Sequence, residues 1–408
     1  MAEYPSKGTS LWVDSIPTTN YAPLKTDLQV DVAIIGGGIA GLTTAYLLKR
    51  AGKQVAVFEK NRIAQGISGF TTGKISSLHG TTYTSLIEKF DQETARIYGE
   101  ANEAAIEQIE KIITDESIDC DWRREDNYVY TEKSDEVEKL QKEAANASSL
   151  GLPASFETEI PLPFGVKGAV RFSNQATFHV GKYLQALAER IDGDGCIVFE
   201  QTKATHVRDG SPCTFKVKNG TVTANEIVLA TNIPAPLREH AAYAFLEHPT
   251  RSYIVAGKSK HPIDGMFISA GSPTRSILSV NIGSEQWLLV GGEGHFVGLS
   301  GPAENHYKKL AGYAKERFGI ESIEYKWSTW DYVAYDHLPL IGKVYPFSKH
   351  LYTATGFRKW GMTNATVAGM ILSDTLTGKR NPWAKTFRTN RSSALTSLPK
   401  GLIQGIFQ

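Results

Sequence analysis

The sequence predicts an α/β fold that begins with a strand–helix–strand unit, and three observations support this prediction. Residues 30–35 form an apolar, β-branched run that suits a buried parallel strand. Apolar residues recur at helical spacing over 39–51, and a second apolar run follows at 54–58. Strand, helix and strand within about thirty residues make a βαβ unit, whose crossover we expect to be right-handed.

The composition indicates a folded protein with a large core and excludes several functional classes. The chain has 408 residues, of which 41% are hydrophobic and 21% charged, and its 44 basic and 43 acidic residues give a net charge of +1. That balance argues against a protein that binds nucleic acid through an excess of cations. No apolar run is long enough for a membrane span, and no secretory signal is present, so we expect a cytoplasmic protein.

The three cysteines, Cys120, Cys196 and Cys213, lie far apart in the sequence. An odd and sparse number of cysteines argues against a disulfide scaffold and against a cysteine-rich metal site. We therefore expect reduced thiols that pack as small hydrophobic groups, and no metal.

The remaining elements follow in order. Gly52 closes the first helix at the position where a left-handed residue is favoured. Helices are predicted over 84–118, 134–150, 303–318 and 362–377, and strands at 127–131, within 196–230 and within 250–295. The Asp-Gly pair at 209–210 and the Asn-Gly pair at 219–220 predict turns between short strands. Residues 1–27 show little periodicity and predict an extended arm.

A glycine motif joins the first strand to the first helix. Gly36, Gly38 and Gly41 have the spacing G-x-G-x-x-G, and Glu59 ends the second strand. In a dinucleotide site these glycines permit a tight turn, a close approach of the pyrophosphate and close packing of helix on strand. The free N–H groups of the helix would bind the phosphates, and Glu59 would accept hydrogen bonds from a ribose. The alternative is a glycine-rich turn without a ligand.

Two later segments favour FAD over NAD as the dinucleotide. Residues 223–232 predict a strand ending in Ala-Thr-Asn, similar to the strand that returns to the cofactor in flavoproteins with two dinucleotide folds. Residues 354–357 (Ala-Thr-Gly-Phe) precede a second helix start. A second helix N-terminus suits a flavin, because reduced flavin carries negative charge near N1 and the C2 oxygen.

Together these segments resemble the D-amino-acid oxidase/glycine oxidase superfamily of FAD-dependent oxidoreductases. The resemblance runs from about residue 28 to 385 and rests on segments 36–42, 230–232, 289–293, 336–342 and 354–361, in matching order and spacing. Segments 68–74 and 357–364 are most similar to the branch in which a Rieske iron–sulfur domain follows the flavoprotein part. A Rieske centre needs two Cys and two His, and residues after 385 contain neither, so we expect no such domain here.

The resemblance implies an α/β fold with a discontinuous, Rossmann-type FAD-binding domain and a second, α+β substrate domain built on a mixed sheet. The FAD-binding domain would comprise residues 28–115, 165–235 and 336–385. The substrate domain would comprise residues 116–164 and 236–335. Residues 1–27 would form an N-terminal arm, and 386–408 a C-terminal tail or truncated linker.

The resemblance also implies which residues hold the FAD. Ser68, Thr71 and Thr72 would meet the pyrophosphate and ribityl chain, although such hydroxyls also commonly cap turns. Ala204 would contact adenine or be an ordinary strand residue. No cysteine lies at 327–332, where sarcosine oxidase relatives tether their flavin, so we expect non-covalent FAD. The full predicted cofactor set is Gly36, Gly38, Ile39, Ala40, Gly41, Glu59, Lys60, Ser68, Thr71, Thr72, Lys74, Ile75, Ser76, Ala204, Ala230, Thr231, Asn232, Gly356, Arg358, Lys359, Trp360, Gly361, Met362 and Thr363.

Four residues are candidates for the chemistry. Arg275 would anchor a substrate carboxylate, because a guanidinium binds two oxygens at once; the alternative is an ion pair. Lys74 and Lys359 would stabilise reduced flavin or superoxide, or else be solvated lysines. Trp330 would form an aromatic wall, or else pack in the core. The lysine that helps to hold the carboxylate in sarcosine oxidase relatives is matched here by Thr363.

The function implied by the resemblance is an FAD-dependent oxidoreductase of the amine or amino-acid oxidase type. It would transfer a hydride from the carbon of a C–N bond to flavin N5, giving an imine, and would be reoxidised by O2. One alternative is a dehydrogenase that passes electrons to a protein or quinone, and another is a flavin-binding protein without catalysis. The expected partners are a small amine or amino acid and an electron acceptor, without nucleic acid.

Overall fold

The structure, a computed structural model, describes residues 6–233, 243, 246–298 and 301–397. The last part of the predicted C-terminal tail, from residue 398, lies outside these residues. The α-helices with described bounds are α1 (Leu11–Asp14), α2 (Ile39–Arg50), α3 (Thr82–Lys89), α4 (Gln92–Asp115), α5 (Val137–Ser149), α6 (Val180–Ile191), α7 (Ala303–Phe318), α8 (Gly361–Leu376), α9 (Ala384–Phe387) and α10 (Ser392–Thr396).

The first sheet contains the predicted strand–helix–strand unit. In the described residues the sheet consists of β1 (Leu28–Ile35), β2 (Val55–Phe58), β7 (Ile197–Phe199), β8 (Thr205–Arg208), β9 (Cys213–Val217), β10 (Gly220–Leu229), β16 (Leu340–Lys343) and β17 (Leu351–Thr355). Its main path runs β16-β17-β10-β1-β2-β7, and the neighbouring strands from β17 to β7 are parallel. These strands are apolar because helices and a further strand pair cover the sheet.

The second sheet is mixed, as predicted. Its described strands are β3 (Lys74–Ile75), β4 (Arg123–Thr131), β5 (Ala154–Glu157), β6 (Gly168–Thr177), β11 (Glu247–Lys258), β12 (Met266–Ser269), β13 (Arg275–Ile282), β14 (Glu285–Phe296) and β15 (Tyr325–Ala334). Its path runs β15-β11-β14-β13-β12-β4-β6-β3, and β5 pairs with β6. The β12–β4 pair is parallel and the other pairs are antiparallel.

Strand β6 belongs to a different sheet from the one that the expected domain boundary at residue 165 implies. It pairs with β4 in the second sheet, although residues 165–235 were expected in the FAD-binding domain. Strand β3, expected in the same domain, pairs with β6. Local sequence could not reveal this, because the choice of sheet depends on partners far away in the chain. The division into domains therefore stays a proposal.

The predicted helices and turns are confirmed where the structure describes them. The 84–118 segment forms two helices, α3 and α4, and the 134–150 segment contains α5. Strands β8, β9 and β10 are joined at the two predicted turns. The three cysteines are free and buried, as expected of packed thiols.

The N-terminal arm differs from the extended chain that the sequence predicted. Residues 11–14 form α1, in which Trp12 is buried. Ser10 caps this helix and donates its hydroxyl to the carbonyl of Gly69, while the Trp12 indole donates to the carbonyl of Thr71 at 2.9 Å. Four residues are too few to show helical periodicity, so tertiary contacts decide this element.

Helices α2 and α8 pack closely and bring two distant segments together. Gly369 of α8 lies against Thr43 of α2, so near that a Cβ on Gly369 would lie 2.6 Å from Thr43 Cγ2. The N-termini of both helices consequently open toward one cavity between the two sheets. Within the described residues, none of the helices is both long and apolar enough to cross a bilayer.

Candidate functional site

One cavity of about 1200 Å³ extends from the start of α2 to the strands of the second sheet. The glycine turn and the end of β2 line one part of it. Residues of segments 65–74 and 357–362 line the middle, and residues of β4, β11, β12, β13, β14 and β15 line the far part. The cavity therefore joins a predicted dinucleotide site to a chamber under the second sheet.

The glycine turn has the geometry that its motif predicts. Gly36 has φ +116°, which glycine adopts readily, and a Cβ there would lie 2.4 Å from the carbonyl oxygen of Ala230. A Cβ on Gly41 would lie 1.9 Å from the carbonyl oxygen of Gly36, so only glycine permits this packing. Gly38 is the N-cap of α2 and has no side-chain cap, which leaves backbone N–H groups facing the cavity.

Glu59 lies directly after β2 and lines the cavity although it is largely buried. One carboxylate oxygen accepts the N–H of Gly37 at 2.9 Å, and the other accepts the N–H of Asn61 at 2.8 Å. These bonds fix the carboxylate while each oxygen keeps acceptor capacity. Glu59 is thus positioned to accept hydroxyl groups from the cavity, as predicted for a ribose.

The segment after β2 supplies small hydroxyl side chains to the middle of the cavity. Ser68, Thr71 and Thr72 line it. Ser68 Oγ also accepts the N–H of Ile39 at 3.2 Å, and Thr71 Oγ1 accepts the N–H of Gly73 at 3.2 Å. Both roles suggested by the sequence, cavity lining and backbone capping, therefore occur together.

Lys74 is a buried lysine at the cavity wall, only 5% exposed. Its ammonium donates to the carbonyl of Phe267 and, at 2.7 Å, to the hydroxyl of Ser276. Burial lowers the pKa of Lys74 to about 7, although the charge of Glu125 raises it. Lys74 is therefore poised to gain or lose a proton near neutral pH.

The turn that leads into α8, the second helix that begins at the cavity, has a strained backbone. Gly356, Arg358 and Lys359 all have positive φ, of 75°, 55° and 68°. Asp331, which is buried, accepts the N–H of Lys359 and so holds this turn in place. Burial raises the pKa of Asp331 to about 6 despite these hydrogen bonds and the nearby lysine. The side chain of Lys359 lines the cavity, and burial lowers its pKa.

Most of the predicted cofactor residues come together in this one cavity. Those that line it are Gly36, Gly38, Ile39, Ala40, Glu59, Lys60, Ser68, Thr71, Thr72, Lys74, Ala204, Ala230, Thr231, Asn232, Lys359, Trp360, Gly361 and Met362. Trp330, predicted as an aromatic wall, also lines it and is 46% exposed. Their contact with a cofactor stays a prediction.

Six predicted cofactor residues do not line the cavity but support its walls. Gly41 and Gly356 act through backbone conformation, and Ile75 and Ser76 are buried behind the wall. The hydroxyl of Thr363 donates to the carbonyl of Ser76 at 3.0 Å. The sixth, Arg358, turns away and donates to the carbonyl of His337 at 3.0 Å.

Arg275 does not line the cavity, contrary to the carboxylate-anchor interpretation. Its guanidinium forms an ion pair with Glu293 at 2.8 Å and lies 5.4 Å from the ring centre of Tyr313. Glu293 also accepts from His306 and Lys309, each at 3.2 Å. The structure therefore favours the ion-pair alternative, because the guanidinium that would bind a substrate is already engaged by a carboxylate.

Sequence reasoning missed two residues that support the site. Asp331 acts on a turn 28 positions later, and no local motif marks it. His79 stacks on Trp360 with ring centres 4.6 Å apart, and its nitrogens contact Tyr98 and the carbonyl of Ser76, each at 2.6 Å. Burial lowers the pKa of His79 to about 3, so the ring is neutral. The only sequence signal was its position five residues after Lys74.

Comparisons with known proteins agree with this geometry. A family described as DAO, FAD dependent oxidoreductase, matches residues 31–375. The chain is 35% identical over 383 residues to a Bacillus subtilis (strain 168) protein named "Putative Rieske 2Fe-2S iron-sulfur protein YhfW", covering 93% of this chain and 75% of that protein. It is 23% identical over 380 residues to gamma-glutamylputrescine oxidoreductase of Escherichia coli (strain K12), covering 88% of this chain and 87% of that protein.

Solved structures show the same fold. Glycine oxidase from Geobacillus kaustophilus superposes with a TM-score of 0.76 at 20% sequence identity, covering 89% of this chain and 99% of that one. At this identity the likeness concerns the fold alone.

Proposed function

The chain belongs to the DAO family of FAD-dependent oxidoreductases, and from that premise we propose that it oxidises a carbon–nitrogen bond of an amino acid or amine. The superfamily resemblance and the FAD cofactor predicted from the sequence are thereby confirmed. The observation that carries the proposal is the continuous cavity, which joins the glycine turn to a chamber roofed by the second sheet.

The residues around the cavity fit FAD. Gly36 and Gly41 permit a turn in which a Cβ would collide with backbone, and the start of α2, where Ser68 accepts the N–H of Ile39, would offer its other free N–H groups to a pyrophosphate. Glu59 has acceptor capacity for the ribose, and the hydroxyls of Ser68, Thr71 and Thr72, which line the cavity, would meet the pyrophosphate and ribityl chain. When bound, FAD would supply the hydride acceptor that turns the C–N bond into a C=N bond.

The protein's own part in the reaction is to bind, orient and exclude water. The second sheet and α7 enclose the chamber in which a substrate would lie, with Trp330 and Trp360 in its walls. Burial lowers the pKa of Lys74 to about 7, so its neutral amine would accept the proton of a substrate ammonium. Oxidation requires this step because only the neutral amine has the lone pair that assists loss of hydride.

The experiment is anaerobic mixing of the FAD-loaded protein with amino acids, N-methyl amino acids and plain amines. We expect at least one of these donors to bleach the visible flavin absorption. Readmission of air should then restore the absorption and yield hydrogen peroxide if O2 is the acceptor. If every donor leaves the flavin oxidised, the protein binds flavin without this catalysis.

A second candidate differs only in the electron acceptor. The Bacillus subtilis relative is named as a Rieske iron–sulfur protein, and this chain covers three quarters of it. That likeness favours a dehydrogenase whose electrons go to a protein or quinone. Slow reoxidation by air, little peroxide and rapid turnover with a soluble quinone or ferricenium salt would support this candidate over the oxidase.

A further inference from the structure

Glu247, the first residue of β11, is a fully buried glutamate without a charged partner among the described residues. Its side chain contacts the hydroxyl of Thr355, whose Oγ1 lies 2.9 Å from one carboxyl oxygen and 3.0 Å from the other. Burial raises the pKa of Glu247 well above its ordinary value, and the nearby charge of Asp331 raises it as well. A buried carboxylate needs several donors, so these surroundings favour the neutral acid.

The contacts of Thr355 indicate which group supplies the hydrogen. Its hydroxyl donates to the backbone carbonyl of Asn232, an oxygen that can only accept. A threonine hydroxyl has a single hydrogen, so once this hydrogen is used the oxygen can only accept from Glu247. The carboxyl of Glu247 therefore carries a proton and donates a hydrogen bond to Thr355. Two hydrogen bonds then run in one direction, from Glu247 through Thr355 to Asn232.

These hydrogen bonds join three segments that are distant in the sequence. Strands β10 and β17 are parallel neighbours in the first sheet, and Asn232 and Thr355 lie at or just after their ends. Glu247 belongs to the second sheet, where it pairs with Ala334 of β15. Glu247 consequently connects the second sheet to two neighbouring strand ends of the first sheet.

Both connected turns contain left-handed backbone and lead to the cavity. Asn232 has φ +69°, and Gly356, which follows Thr355, has φ +75°. A Cβ on Gly356 would lie 3.2 Å from a carboxyl oxygen of Glu247, so this turn packs directly on the glutamate. Asn232 lines the cavity, and so do residues of the segment 357–361. Glu247 is absent from the lining and can therefore act on a cofactor only through these turns.

Other buried acids of this protein have the opposite hydrogen-bonding role. Glu143 is equally buried and accepts two backbone N–H groups of α3, each at 2.8 Å. Asp331 accepts the N–H of Lys359 and, at 2.8 Å, the N–H of Tyr332. An amide can replace a protonated acid, because it has one acceptor oxygen and a donor, but it cannot replace a carboxylate whose two oxygens both accept. Replacement by the amide therefore distinguishes Glu247 from the other two acids.

We propose that Glu247 is a positioning residue for FAD, a neutral acid that ties the second sheet to the two turns at 230–233 and 355–361. Asp331, on the neighbouring strand β15, holds a later part of the second turn through the N–H of Lys359. The second sheet thus supports this turn with one hydrogen-bond donor and one acceptor. The inference concerns the placement of the cofactor and is independent of the substrate that the enzyme oxidises.

The experiment titrates FAD-free protein with FAD and measures the Kd from the flavin fluorescence, so the result does not depend on turnover. Glu247→Gln should keep the Kd within about twofold of wild type, because the amide N–H replaces the acid O–H as donor. Glu247→Met, of similar size but without a donor, should raise the Kd by roughly tenfold or more. Equal weakening in both variants would overturn the neutral acid, and a wild-type Kd in Glu247→Met would overturn the positioning role.

Glu143→Gln is the matched control, since it makes the same substitution at an equally buried glutamate. It should lower the urea midpoint of unfolding, because the amide leaves one backbone N–H of α3 without its acceptor. Glu247→Gln should keep the wild-type midpoint. An equal loss of stability in the two variants would show that Glu247 is also a carboxylate acceptor, and would overturn the proposal.

Two further measurements decide if Glu247→Met does not fold. Thr355→Ser keeps the hydroxyl that connects Glu247 to Asn232 and should bind FAD like wild type, whereas Thr355→Val should bind it more weakly. Equal affinity of these two variants would overturn the positioning role. The infrared difference spectrum of wild type minus Glu247→Gln should contain the C=O stretch of a protonated carboxyl group. A carboxylate band in its place would overturn the neutral acid.

Discussion

Three cations approach the chamber, and the partners of each determine what it can do. Arg275 is held by the carboxylate of Glu293, so its charge is neutralised. Lys74 donates to two neutral oxygens, and its burial destabilises its charged form. Lys359 lines the cavity near the charge of Asp331, and burial lowers its pKa although that charge raises it. Residue type alone did not distinguish these three roles.

The titration of Lys74 makes stability depend on pH. Because its pKa is about 7 in the folded protein against an ordinary value of 10.5, unfolding takes up a proton between these values, and stability rises with pH through this group. In FAD-free protein, wild type should therefore gain about 3 kcal/mol relative to Lys74→Met between pH 7 and 9.5. Urea denaturation at both pH values measures this, and parallel pH dependences would contradict it.

The Arg275–Glu293 pair should contribute to stability rather than to binding. Burial alone would raise the pKa of Glu293, but hydrogen bonds from His306, Lys309 and Arg275 lower it. Arg275→Ala removes one partner of a buried carboxylate and should lower the free energy of unfolding by about 2–4 kcal/mol. Bleaching of the flavin by an amino acid should stay unchanged. Loss of this bleaching with normal stability would instead support Arg275 as the carboxylate anchor.

Gly38 offers a test of the cofactor site. A Cβ there would lie 2.9 Å from Ser68 Oγ, and a branched side chain would extend into the space predicted for the pyrophosphate. Gly38→Val should therefore abolish flavin binding, measured as the ratio of visible to ultraviolet absorbance after incubation with FAD. The matched control is Gly312→Ala in α7, where a Cβ meets nothing within 4 Å. Normal flavin content in Gly38→Val would show that the turn does not approach the phosphates.

At the scale of elements, the contact between α2 and α8 places both helix starts at the cavity. The two helices are far apart in the sequence and meet where Gly369 lies against Thr43. Close packing of this kind depends on the absence of a side chain at one position. The site therefore depends on a residue that touches no part of the cavity.

Gly369→Ala should separate these helices. Its Cβ would lie 2.6 Å from Thr43 Cγ2 and 3.2 Å from the backbone nitrogen of Thr44, which cannot move independently of α2. We expect a loss of about 1–3 kcal/mol in the free energy of unfolding, together with weaker FAD binding. Since alanine favours helices more than glycine does, Gly312→Ala should be neutral or stabilising. Equal stability of the two variants would argue against the tight contact.

On the scale of the whole molecule, the two sheets form a single cavity to which distant parts of the chain contribute. The glycine turn, the middle segment, the turn at 357–361 and seven described strands of the second sheet all contribute residues to its lining. The N-terminal arm closes against the middle segment through Ser10 and Trp12. A ligand that fills this space would connect both sheets, so cofactor binding and global stability should be coupled.

Each chain should bind one FAD without a covalent bond. Acid precipitation should release all of the flavin into the supernatant, because no cysteine lies at 327–332. Excess FAD should raise the melting temperature, with a stabilisation of about 2.7 kcal/mol at a free concentration one hundred times the Kd. Flavin that stays with the precipitated protein would contradict the non-covalent assignment.

The sequence by itself determined the first strand–helix–strand unit, the glycine turn, Glu59 and the family. These features are local, since the roles of Gly36, Gly38 and Gly41 depend on the backbone around them. The two turns between β8, β9 and β10 were predictable for the same reason. For each of these features, the chemistry of a few consecutive residues was sufficient for the prediction.

Only the tertiary structure decided the rest. The sheet to which β6 belongs, the helix in the N-terminal arm and the partner of Arg275 all depend on groups distant in the sequence. The same holds for Lys359, whose charge faces the cavity because Asp331 holds its turn and Gly294 leaves room for it. A side chain's chemistry is set by its neighbours, and here folding brings those neighbours from strands and loops that no local pattern connects.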